Sequence, residues 1–137
     1  MKKIISIGLL SGIIMLGVNI IIGQAFQFVF PLLKEEYQNT NLFRPWSDPL
    51  MSLMFIHPFI VGIIMAAIWN ETKAIIQGDT PINKGIRFGL IYWIVSVPGM
   101  IISYGTFPIS PILTISWTVA ILAQTLCSGI LFSKILK

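Results

Sequence analysis

The sequence predicts an all-α integral membrane protein, a four-helix bundle of antiparallel up-down helices with both termini cytoplasmic. Three observations predict it. Four long apolar runs, roughly 4–30, 50–69, 85–104 and 112–132, are separated by clusters of charge, Pro and Gly. Inside them there is no Asp, Glu or Lys, and the one Arg, Arg87, lies in the first turn of the third run. The composition, 55% hydrophobic and 10% charged, falls far below the roughly 25% charge of a soluble domain. Crossing a hydrocarbon layer of about 30 Å takes about 20 apolar residues at about 1.5 Å each. The 137 residues make one such bundle, a single domain over 1–137.

The first run is longer than a span needs, so it tilts or carries its end into the headgroup layer. With Lys2 and Lys3 ahead of it and a small-residue site at Gly23-Gln24-Ala25, it also has the outline of a signal peptide. Such an apolar region usually stops at about 7–15 residues; this one continues, and it is read as the first span. Loop one, 31–49, is the longest connection and the most varied chemically. Spans two, three and four open alike, on Asp48-Pro49, Thr80-Pro81 and Ser110-Pro111. A capping oxygen accepts from unpaired backbone N–H groups, and Pro at the first helical position has no N–H to lose. Loop two, 70–83, is polar. Loop three, 105–110, is short and uncharged, so spans three and four form a tight hairpin.

Basic residues set the orientation. Lys2, Lys3, Lys73, Lys84, Arg87, Lys134 and Lys137 fall on one side, Lys34 and Arg44 on the other, which places both ends inside the cell. The net charge of +4 is too scattered for a nucleic-acid partner. Trp46, Trp69 and Tyr104 stand at expected membrane interfaces. A lone cysteine, Cys127, rules out an internal disulfide and dithiol chemistry.

Lipid gives helices no hydrophobic reason to associate, so they pack through small residues that allow close approach. Each run carries such a seam: Gly8, Gly12, Asn19 and Gly23; Pro58, Gly62 and Ala66; Gly85, Gly89, Ser96 and Gly99; Thr118, Thr125 and Ser128. Asn19 and Gln124, both near mid-depth, are expected to pair with each other or with a second subunit.

His57 is the only histidine and lies in span two, next to Pro58. An ionisable group in a span is a functional candidate. The plainer alternative is a neutral imidazole hydrogen-bonded where Pro58 frees the Met54 carbonyl. Gln24, Gln27, Ser96, Thr114, Trp117 and Thr118 fall in the same outer half. Together with His57 they outline a polar, water-reachable pocket opening outward above a half closed by Gly62, Ala66, Gly85, Gly89 and Ser128. Cross-helix hydrogen bonding among these groups is the competing explanation. In loop one, Arg44 and Asp48 can pair around Trp46 and present an external contact surface.

Catalytic signatures are missing: no membrane carboxylate for proton-coupled export, no Gly-x-Ser-x-Gly elbow, no phosphate-binding Gly loop. No metal or cofactor is expected. The segments Arg44-Pro45-Trp46-Ser47-Asp48-Pro49, Gly85-Ile86-Arg87-Phe88-Gly89-Leu90 and Ser103-Tyr104-Gly105-Thr106-Phe107-Pro108 resemble small four-span prokaryotic membrane proteins of unknown function. The resemblance covers spans two to four and implies no activity. The expected function is that of a non-enzymatic component or accessory subunit of the cell membrane, with the lipid bilayer, copies of itself or a larger complex as partners. The alternative is an oligomeric small-molecule or ion transporter or channel using the pocket around His57.

Overall fold

The computed structural model describes residues 1–136; Lys137, one of the basic residues counted above, lies outside them. The described chain is all helical, with α1 at Lys2–Val29, α2 at Leu32–Gln38, α3 at Leu53–Thr72, α4 at Pro81–Thr106 and α5 at Pro111–Ile135. A single 3-10 turn at Pro49–Ser52 leads into α3. Four of these elements are long and apolar enough to cross a membrane: Lys2–Val29, Pro49–Thr72, Pro81–Thr106 and Pro111–Ile135.

The expected caps are present. Asp48 accepts from the backbone N–H of Leu50, Thr80 from that of Asn83 and Ser110 from that of Leu113. The Asp48 cap opens the 3-10 turn rather than the α-helix itself. One expectation needs correction. Loop one contains the short helix α2, built from good helix formers, Leu-Leu-Lys-Glu-Glu, with Glu35 in its first turn. The third long helix runs from Pro81 to Thr106 with Pro98 inside it.

Consecutive long helices are antiparallel, and α1 packs mainly on α3 and α5, α4 on α5. Glycine makes these contacts close. A Cβ on Gly12 would lie 2.7 Å from the Phe59 Cα, and one on Gly89 would lie 2.6 Å from the Thr125 carbonyl oxygen. Between α1 and α5, Ser11 Oγ donates to Ser128 Oγ at 2.8 Å, fully buried. All of these contacts lie in the half that holds both termini and loop two, called here the terminal end.

Aromatic rings complete that end. Trp69 of α3 meets Phe88 of α4 edge-on at 5.3 Å, and Phe88 meets Phe132 of α5 at 6.2 Å. Met15, Met65, Ala66, Ile76 and Leu136 are buried around them, and Trp69 Nε1 donates to the Leu136 carbonyl at 3.0 Å. Apart from this ring contact, α3 and α4 do not pack along their lengths. Toward the opposite end, where α2 lies, α3 and α4 are parted by a groove, while α4 and α5 stay joined through the short loop 107–110. A small cluster of Leu33, Ile109 and Leu113 covers that end.

Candidate functional site

The fold leaves two adjoining cavities. One, of about 470 Å³, is bounded by Asn19, Ile20, Gly23, Gln24 and Gln27 of α1, and by Ser116, Trp117 and Ala120 of α5. Loop one contributes Tyr37, Phe43 and Trp46, and Met51 and Met54 close the side toward α3. The other, of about 480 Å³, is a groove between α3 and α4. Leu53, Met54, His57 and Pro58 line one wall, Met100 the other, and Asn19, Trp117, Ile121 and Gln124 the floor. Asn19, Met54 and Trp117 belong to both, so the two cavities adjoin; together they are called here the chamber.

Of the residues expected in a pocket, Gln24, Gln27 and Trp117 come together in the first cavity. His57 is absent from the first cavity; it is exposed and lines the second, together with Trp117. Among the described residues it has no hydrogen-bond partner, so it does not answer the carbonyl that Pro58 frees. Ser96, Thr114 and Thr118 line neither cavity. Their hydroxyls turn back on their own helices, to the carbonyls of Trp93, Ser110 and Thr114. In a spanning helix this back-bonding satisfies a hydroxyl more cheaply than reaching across a gap.

The chamber's polar groups are amides, rings and the Ser116 hydroxyl. Gln124 Nε2 donates to Asn19 Oδ1 at 3.1 Å across α5 and α1, the expected mid-depth pair. Gln24 and Gln27 have no side-chain partner among the described residues. Trp117 Nε1 donates to Tyr37 Oη at 2.8 Å, and Phe43 stands edge-on to the Trp117 ring at 6.1 Å. Burial pushes the Tyr37 hydroxyl up from its ordinary pKa, against the opposing effect of the Trp117 and Ser116 hydrogen bonds.

A second link fixes α2. The Glu36 carboxylate accepts from the Ser110 backbone N–H and from Ser110 Oγ, both at 2.6 Å, at the N-terminus of α5. Exposed N–H groups there attract an anion, and the chain supplies its own. Ser110 Oγ meanwhile accepts from Leu113 N–H at 3.1 Å, so one hydroxyl caps α5 and holds α2. Sequence reasoning missed Tyr37, Glu36 and Ser110 as a group because 74 residues separate Glu36 from Ser110, and no local pattern announces the pairing.

At the rim, Arg44 and Asp48 form an ion pair of 2.8 Å. The backbone N–H of Leu50, then Arg44, hold the Asp48 carboxyl below the usual carboxylate range. Between them Trp46 is 63% exposed and borders the first cavity. A third cavity, about 540 Å³, lies at the terminal end among Trp69, Lys73, Asp79 and Lys84. Lys73 Nζ donates there to the Leu136 carbonyl at 3.4 Å. Among the described residues no group of three or more His, Cys, Asp or Glu is placed to hold a metal ion.

Nothing matches this chain among protein-family models, curated proteins or solved structures.

Proposed function

We propose that the four long helices cross the cell membrane with both termini cytoplasmic, and that the chain is a non-enzymatic membrane component. Its place is as an accessory subunit or a self-associating unit, akin to the small four-span prokaryotic membrane proteins that its loop motifs resemble. The asymmetry of the packing carries this reading. One half is sealed by glycine-to-backbone contacts and an aromatic cluster. The other half holds a chamber whose polar groups are amides, the Trp46 and Trp117 indoles, the Tyr37 phenol, the Ser116 hydroxyl and the His57 imidazole. Such a surface binds; it has no nucleophile paired with a base, which covalent catalysis needs.

Crosslinking in native membranes, followed by identification of the neighbours, tests the reading. Adducts with another membrane polypeptide, or with a second copy of the chain, are expected; recovery of the monomer alone overturns it. The transporter reading keeps one observation in its favour, His57 in the lining of the groove. It predicts pH-dependent solute flux in reconstituted vesicles that His57→Ala abolishes, and the component reading predicts no flux in either form.

A further inference from the structure

The two adjoining cavities carry a more specific inference, which rests on the membrane reading above. We propose that the chamber holds an uncharged lipid drawn from the surrounding leaflet. Its hydroxyl- or ester-bearing head sits at Gln24 and Gln27, and its chain passes out between α3 and α4.

Charge is the first argument. Among the described residues no Lys, Arg, Asp or Glu lines either cavity, and Arg44, two residues from Trp46, is held by Asp48. An anionic headgroup taken into this space would lack the charged partner it needs. An uncharged head meets no such obstacle.

The amides are the second. Gln24 and Gln27 lie on one face of α1, within two turns of its end at Val29, and their side chains are without protein partners. Each amide offers both a donor and an acceptor, the complement of a hydroxyl or an ester carbonyl. Asn19 and Gln124, deeper down, are tied to each other by one hydrogen bond, and Leu53, Met54, Pro58, Met100 and Ile121 give the groove an apolar surface for a chain.

Access is the third. Tyr37, Phe43 and Trp46 border the first cavity from loop one, and the Glu36–Ser110 and Tyr37–Trp117 bonds fasten that loop. On the side, α3 and α4 are parted, and Met54, Pro58 and Met100 form an apolar passage between them. The route of entry is therefore sideways from the bilayer. Volumes of about 470 and 480 Å³ fall in the range of small-molecule sites, about 300–1,000 Å³.

Gly23 provides the test. It borders the first cavity, yet a Cβ there meets nothing within 4 Å, and the same holds at exposed Gly17 outside the cavities. Gly23→Phe therefore fills the chamber, and Gly17→Phe adds the same ring elsewhere on the same helix. The full chain is placed in phosphatidylcholine vesicles containing a diacylglycerol with a diazirine in its acyl chain, then irradiated. The expected adducts fall within 51–58 and 116–121. Unlabelled diacylglycerol displaces the probe, and phosphatidic acid with the same chains does not. Labelling drops to background in Gly23→Phe and persists in Gly17→Phe. Adducts spread evenly over the outer helix faces, equal labelling of both variants, or equal displacement by phosphatidic acid would overturn the inference. Flotation after alkaline carbonate separates the two levels. A chain lost from the vesicles defeats the membrane reading; one retained but unlabelled defeats the lipid inference alone.

Discussion

A methyl group added to Gly85 would arrive 2.5 Å from the Gly129 carbonyl oxygen, whereas one added to Gly17 meets nothing within 4 Å. Both are glycines within long helices, and what packs against them distinguishes them. Gly85→Ala forces α4 away from α5 and is expected to cost about 1–3 kcal/mol, as overpacking does. Gly17→Ala gains helix propensity and is expected to be neutral or stabilising by at most about 1 kcal/mol. Thermal unfolding in detergent checks the pair; equal midpoints would refute the close approach. The seam glycines were legible in sequence because spacings of three and four put them on one face. Which of them touch was not, since Gly23 and Gly99 continue the same lines into open space. The Asn19–Gln124 bond was legible for a different reason. Two amides at similar depth in an apolar medium have few other partners.

The short helix α2 depends on two contacts, and both can be probed. Glu36→Ala removes the pair of 2.6 Å hydrogen bonds to Ser110. Bonds to a charged group are worth about 1.5–3 kcal/mol each when shielded, and solvent at this half-buried carboxylate lowers that. Hydrogen exchange of the α2 amides should quicken by about tenfold, which corresponds to about 1.4 kcal/mol, with α4 unaffected. Unchanged exchange in α2 would remove the strap. Tyr37 supplies a pH dependence. Its pKa is raised in the folded protein, chiefly by burial, so the folded state favours the protonated phenol. That contribution is complete below the ordinary tyrosine pKa of about 10 and is lost as pH rises through the folded value. Alkaline unfolding should therefore begin at lower pH in the wild type than in Tyr37→Phe, which has no phenol to ionise. Coincident curves would contradict it. Sequence placed this helix in a loop because seven residues are too few for a periodicity to stand out, and what stabilises it comes from α5.

Across the whole molecule, the number of long helices and their order followed from hydropathy and the three Pro-capped starts. The burial pattern did not, because an apolar helix looks the same on every face. α5 is the most enclosed span by share buried and α4 the least, at 33% and 17%, and nothing in their composition says so. The helices also exceed the layer they are proposed to cross. At about 1.5 Å per residue, α1 with 28 residues is about 42 Å long, against a core of about 30 Å. Tilt, or emergence of Gln27 and the residues after it into the headgroup region, absorbs the difference. The proposed orientation rests on charge: Lys2, Lys3, Lys73, Lys84, Arg87 and Lys134 lie toward the terminal end, and Lys34 and Arg44 toward the α2 end. Cys127 is exposed and is the only cysteine, so Cys127→Ser gives a clean background for a topology map. In that background, a cysteine at exposed Ser47 is expected to react with a membrane-impermeant maleimide on intact cells. One at exposed Gln77 is expected to react only after permeabilisation. The reverse pattern would invert the protein and move the chamber to the cytoplasmic leaflet. Labelling of both positions on intact cells would mean that α3 does not cross, and the membrane reading would fall with it.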